Sequence, residues 1–261
     1  MPLLNPYRPA LRGAFGVALA VVLLMPSSAL AAEVKLLSAG AVHSTLDELL
    51  PQYERTSGNT VVVTYDAAGG LRQRLERGEK ADVLILPQEA LDDAAKRGWI
   101  VASTRRDLGT VGIGLAVRQG APVPDIATPE ALKRVLLDAK SVAYTDPTRG
   151  TSGRHFDSVV LSQLGIAAEV RPKARLLTEG SVGGMVNRGE AEVGVQQLSE
   201  LIGVAGITVV GPLPASLQKT TTYTVVVLTS SASPALASQL EDFLTSSSAK
   251  AVFQSKGFAN Y

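Results

Sequence analysis

Between Val34 and Gly98 three apolar runs alternate with three segments of helical spacing, and nothing else in the chain constrains its fold as tightly. Val34-Lys35-Leu36-Leu37 ends at Ser38-Ala39-Gly40-Ala41. Val42, Leu46, Leu49, Leu50 and Tyr53 then recur at the interval of one helical face. Thr60 to Tyr65 runs into Asp66-Ala67-Ala68-Gly69-Gly70, after which Leu71 and Leu75 open a short helix closed at Gly78. Asp82 to Leu86 is a continuous apolar run behind one acid, the mark of a strand covered on both faces. Pro87-Gln88-Glu89 opens the next helix, stopped at Gly98. Strands and helices in this order specify a largely parallel sheet wrapped by helices.

The rest of the chain repeats the pattern with one interruption. Val111 to Val117 reads as a strand, and Gly120-Ala121-Pro122-Val123-Pro124 then breaks the rhythm as a crossing between lobes would. Thr128-Pro129-Glu130 has the cap, first-turn proline and early acid of a helix start. Ser141 to Tyr144 is a strand ending at Asp146-Pro147. Gly150-Thr151-Ser152-Gly153 then opens a segment with Phe156, Val159, Val160 and Leu164 on one helical face. A polar stretch with Arg171, Lys173 and Arg175 precedes a helix from Ser181 to Val186 and a strand from Glu192 to Gln196. Thr222 to Leu228 reads as a late strand returning to the first lobe, and a last helix carries Leu236, Leu240, Phe243 and Leu244. These elements predict an α/β protein of two lobes, the first from residues 33–115 and 222–261, the second from 116–221.

Arg8 and Arg12, an apolar stretch through Met25, and the small residues up to Ala31 have the form of a cleavable secretory leader over residues 1–31. A periplasmic protein is therefore expected. Removing the leader takes two basic residues and no acid, leaving 23 basic against 24 acidic residues, and this balance argues against nucleic acid as a partner. The chain has no cysteine and only two histidines, His43 and His155, so neither a metal nor a cofactor is expected.

Three junctions share one character: Ser38-Ala39-Gly40-Ala41, Ala67-Ala68-Gly69-Gly70 and Gly150-Thr151-Ser152-Gly153 each put small residues after a strand and before a helix. Helix starts leave backbone N–H groups free, and the positive end of the helix dipole favours an anion there. In open α/β sheets ligands bind beyond the carboxyl ends of the strands. Gly40, Ala41, Gly69, Gly70, Thr151 and Ser152 are accordingly candidate ligand contacts. Arg72 and Arg154, just past the second and third junctions, are candidate partners for a carboxylate.

The order of Leu37 to Val42, Ala67 to Leu71, Glu76 to Val83, Asp146 to Gly153, Arg188 to Val195 and Lys256-Gly257-Phe258 resembles the periplasmic molybdate-binding protein family. More broadly, it resembles the type II solute-binding proteins of ABC importers. The resemblance spans the mature chain and implies a two-lobed periplasmic-binding-protein-like fold with the ligand cleft between the lobes. It also implies a membrane permease as partner and a monomeric binder. Carried over by position, it adds a backbone contact at Val182 and a side chain at Gln197. The family's hydroxyls at the first two junctions fall on Ala41 and on Ala68-Gly69-Gly70, and its tyrosine falls on Gln197. The ligand is thereby left open between a molybdate-like oxyanion and a small carboxylate.

No nucleophile sits with an acid–base pair at a recognisable spacing, so a binder without turnover is expected. Two alternatives stand beside it. One is a sensory protein reporting ligand to a membrane partner. The other is a serine hydrolase with Ser152 as nucleophile and His155 as base, although Gly150-Thr151-Ser152-Gly153 lacks the spacing of a nucleophile elbow.

Overall fold

The computed structural model describes residues 32–259; the leader reading falls outside them. The chain runs β1 (Glu33–Ala39), α1 (His43–Ser57), β2 (Thr60–Asp66), α2 (Ala68–Glu76), β3 (Val83–Pro87), α3 (Gln88–Lys96), β4 (Arg106–Val111) and β5 (Ile113–Arg118). It continues with α4 (Pro129–Asp138), β6 (Val142–Thr145), α5 (Thr151–His155), α6 (Leu161–Gln163), α7 (Ala167–Val170), β7 (Ala174–Leu177), α8 (Val182–Asn187) and β8 (Val193–Gln197). It closes with α9 (Leu198–Leu201), β9 (Ile207–Pro212), β10 (Thr221–Val227), α10 (Pro234–Leu244) and α11 (Ser247–Ser255). Among the described residues no helix is long and apolar enough to cross a membrane.

Two five-stranded sheets follow one plan. The first has the order β2-β1-β3-β10-β4 and the second β7-β6-β8-β5-β9. In each, three parallel strands are extended by an antiparallel strand and a further edge strand. The parallel strands of each sheet share one direction, so their carboxyl ends form a single rim where the helices begin.

The run after Asp82 is buried because its two faces serve two cores. Val83 and Ile85 pack with Leu46, Leu49 and Tyr53 of α1 and with Leu240 and Phe253 near the C-terminus. Leu84 and Leu86 pack with Leu71 and Leu75 of α2 and Leu91 of α3. The second sheet is covered the same way, by Leu132, Leu136 and Phe156 on one face and by Val182 and Val186 on the other.

One strand expected from the sequence is two. The Val111 to Val117 run is divided at Gly112, with β4 in the first sheet and β5 in the second. Gln218, on the returning crossing, binds the same point: its Oε1 accepts from Ile113 N (2.7 Å) and its Nε2 donates to Ile113 O (2.8 Å). The two crossings are thus pinned together. A Cβ at residue 112 would lie 3.1 Å from the Gln218 amide, which accounts for the glycine. The polar stretch near Arg175 forms β7, an edge strand with Arg175 and Leu176 exposed, and so shows no apolar alternation.

Glu241 of α10 is 2 % exposed, and its Oε1 has no hydrogen-bond partner among the described residues. Burial pushes its pKa up to about 7, opposed by Arg106 and assisted by Asp242. A carboxyl that holds its proton more tightly folded than unfolded stabilises the fold fully below the ordinary carboxylate range. That contribution is lost as pH rises toward 7. Glu241→Gln should therefore flatten the fall in melting temperature between about pH 5 and pH 8, by the equivalent of roughly 1–2 kcal/mol. Thermal melts of both proteins across that range check this; parallel curves would count against it.

Candidate functional site in the interlobe cleft

The carboxyl ends of β1, β2, β3, β6 and β8 converge on a cavity of about 40 Å³. Ala39, Gly40, Ala41, Ala67, Ala68 and Pro87 form its wall in the first lobe, and Thr145, Gly150, Thr151 and Ser152 face them from the second. Gln197, Glu200 and Tyr223 complete it. A larger cavity of about 360 Å³ adjoins it and shares Ala68, Pro87 and Thr151. The lobes meet across the cleft through Arg149 and Asp66 (2.9 Å), Gly69 N and Arg149 O (3.3 Å), and Ser44 Oγ and Ser199 O (3.2 Å).

Of the residues expected from the sequence, Gly40, Ala41, Thr151, Ser152 and Gln197 line the inner cavity. Gly69, Arg72 and Arg154 line the outer one, together with Thr151. Gly70 and Val182 are among the lining residues of neither. Gly70 is buried against its own strand, where a Cβ would lie 2.2 Å from the Asp66 carboxylate. Val182 is fully buried, and its N–H, expected to meet the ligand, donates to Gln196 Oε1 instead (3.1 Å). The glycines of the third junction are also needed for packing, although Gly150 lines the inner cavity as well. A Cβ on Gly153 would lie 1.8 Å from Thr145 O, and one on Gly150 would lie 2.4 Å from Thr145 Cγ2.

Glu200 is the residue that the sequence reading missed. It sits in α9, three residues beyond the end of β8, where the strand-end rule would place a ligand contact. Its Oε1 accepts from Gln196 Nε2 (2.9 Å) and lies 3.2 Å from the position of a Cβ on Gly40, across the cleft. Desolvation pushes its pKa up to about 7, against hydrogen bonds from the Gln197 backbone and the Gln196 side chain. The Val182 amide, Gln196 and Glu200 therefore form one relay that fixes the carboxyl in place. Tyr223, buried beside it, is raised well above the usual phenol range by burial and by the nearby Glu200 charge. Gln197 Nε2 donates to Tyr223 Oη and Thr221 Oγ1, each at 3.3 Å, while its Oε1 has no partner among the described residues.

A half-buried carboxyl whose pKa is raised toward neutrality, set among small residues, can take a proton from a bound carbon acid and return it. Ser152 is not set up as a hydrolytic nucleophile, since His155 Nε2 is bonded to Leu217 O at 2.9 Å.

Residues 34–259 match the model of a family described as bacterial extracellular solute-binding protein. An aconitate isomerase from Pseudomonas sp. is 36% identical over 250 residues, which are 92% of this chain and 94% of that protein. Molybdate-binding protein ModA of Escherichia coli strain K12 is 23% identical over 231 residues, 87% of this chain and 88% of that protein. Among solved structures, the periplasmic molybdate-binding protein of Azotobacter vinelandii superposes with a TM-score of 0.73 at 20% identity, covering 87% of this chain and 99% of that one. The expectation of a binder without turnover is corrected by the first of these relatives, which carries the name of an enzyme. An isomerase need not carry a nucleophile beside an acid–base pair, the spacing that the sequence lacks. The match over residues 34–259 means that the chain belongs to the family of bacterial extracellular solute-binding proteins, and the likeness to the Azotobacter protein extends to the two-lobed fold.

Proposed function

We propose that the cleft binds a small unsaturated polycarboxylate of the aconitate type and interconverts its cis and trans isomers, with Glu200 carrying the proton. The observation behind this reading is the Glu200 carboxyl, desolvated and poised near neutrality at the strand-end rim. The 36% identity to an aconitate isomerase supports the choice of substrate.

In aconitate one methylene is both adjacent to a carboxyl and allylic to the double bond. Ionised Glu200 removes a proton from that carbon, and the electron pair spreads over the allyl unit and the adjoining carboxylate oxygens. In this reading the backbone N–H groups of Gly40-Ala41 and Thr151-Ser152, residues that line the inner cavity, stabilise those oxygens. The protonated Glu200 then returns the proton to one end of the allyl unit, re-forming the double bond with either geometry. Nothing is oxidised or reduced, and the carboxyl ends as it began.

The purified protein mixed with cis-aconitate should produce the trans isomer, and in deuterated buffer the share of product carrying deuterium reports how often the Glu200 proton exchanges with solvent before it is returned. Neither isomer nor exchange above the buffer rate would overturn the reading. Delivery of the same acid to a membrane permease is a second reading, supported by the family match over residues 34–259.

A further inference from the structure

We propose that the outer cavity is a second carboxylate subsite, in which Arg72 and Arg154 select acids with several carboxylates; this rests on the polycarboxylate reading of the inner cavity. The first argument is size. At about 40 Å³ the inner cavity has space for one carboxylate group, not for a tricarboxylate. The remaining arms of such a ligand must pass the shared wall of Ala68, Pro87 and Thr151 into the space of about 360 Å³ beyond.

The second argument is the charge that waits there. Arg72, Arg149 and Arg154 line this cavity, together with the acids Glu89 and Asp93. Both acids are already engaged, Glu89 with Lys219 at 3.0 Å and Asp93 with Arg97 at 2.9 Å. Arg149 is committed to Asp66. Arg72 has only a loose contact with Glu76 at 3.5 Å. Arg154 donates through Nε to Pro147 O and makes no ion pair among the described residues. Two guanidinium groups are thus left to face the cavity. Leu75, Leu86, Ala94 and Trp99 also line the cavity, so a carboxylate paired with either guanidinium there would have apolar surface beside it.

Calorimetric titration of the purified protein with crotonate, fumarate and trans-aconitate compares one, two and three carboxylates on similar carbon skeletons. Affinity should climb along the series. Arg72→Ala and Arg154→Ala should each weaken trans-aconitate about tenfold, while crotonate changes by less than about twofold. Arg154→Lys should restore part of the loss. Variants that weaken all three acids alike, or leave trans-aconitate untouched, overturn the subsite. If the wild-type series climbs but no isomer forms, the isomerase reading falls and the subsite stands. If isomer forms while the series is flat, the reverse holds. If no acid of the series binds, both fall.

Discussion

Glu200→Gln should lower the rate of aconitate isomerisation by about a thousandfold while leaving trans-aconitate affinity within a few fold. Glutamine has the shape of glutamate, and its carbonyl can still accept from Gln196 Nε2, so the relay from Val182 and the wall against Gly40 are kept. What it cannot do is accept a proton. In the wild type the rate of proton abstraction should rise with pH through about 7, as the Glu200 carboxyl ionises, and that limb should vanish in the variant. The measurement is kcat and Kd for both proteins across that range. A variant with full turnover would remove Glu200 from the chemistry. Equal loss of binding and turnover would make it a structural residue.

Gly153→Ala is expected to be the most damaging single-methyl addition to the site. The new Cβ would fall 1.8 Å from a backbone oxygen, Thr145 O, and backbone cannot swing aside as a side-chain tip can. Either α5 lifts from the end of β6 or the strand bends, at a cost of roughly 3 kcal/mol or more. Because α5 carries Thr151 and Ser152, ligand affinity should fall with stability. Gly184→Ala is the control. It adds the same methyl inside α8, where the nearest obstacle is a side-chain tip, Arg188 Nη1 at 3.2 Å. Alanine there should be neutral, or stabilising by up to about 1 kcal/mol. Denaturant unfolding of the two variants tests the contrast, and similar midpoints would refute it.

The buried strands were legible because each has to satisfy two cores at once. The run after Asp82 has no solvent face, and its composition says so. The edge strand β7 was not legible, since one side of it meets water and its residues are those of a loop. The division at Gly112 was hidden because β4 and β5 abut without a polar break. At the site, the junctions were visible as small residues, yet composition does not tell a glycine that admits a ligand from one that admits its own strand. Gly40 lines the inner cavity, whereas Gly70 is packed on the Asp66 carboxylate. Glu200 was missed because an acid after a strand is ordinary in sequence. Its distinction is its position at the cleft, facing a residue 160 positions away in the chain, Gly40.

The separation of Glu200 from Gly40 joins chemistry to movement. The carboxyl belongs to the second sheet's rim, and Gly40, which it faces, belongs to the first. Were the lobes to part, more water would reach the carboxyl and its proton affinity would fall toward that of a surface glutamate. On the proposed isomerase reading, the base would therefore strengthen as the lobes close on a bound acid and weaken on release. The motion that grips the ligand would then also be the one that switches on the base.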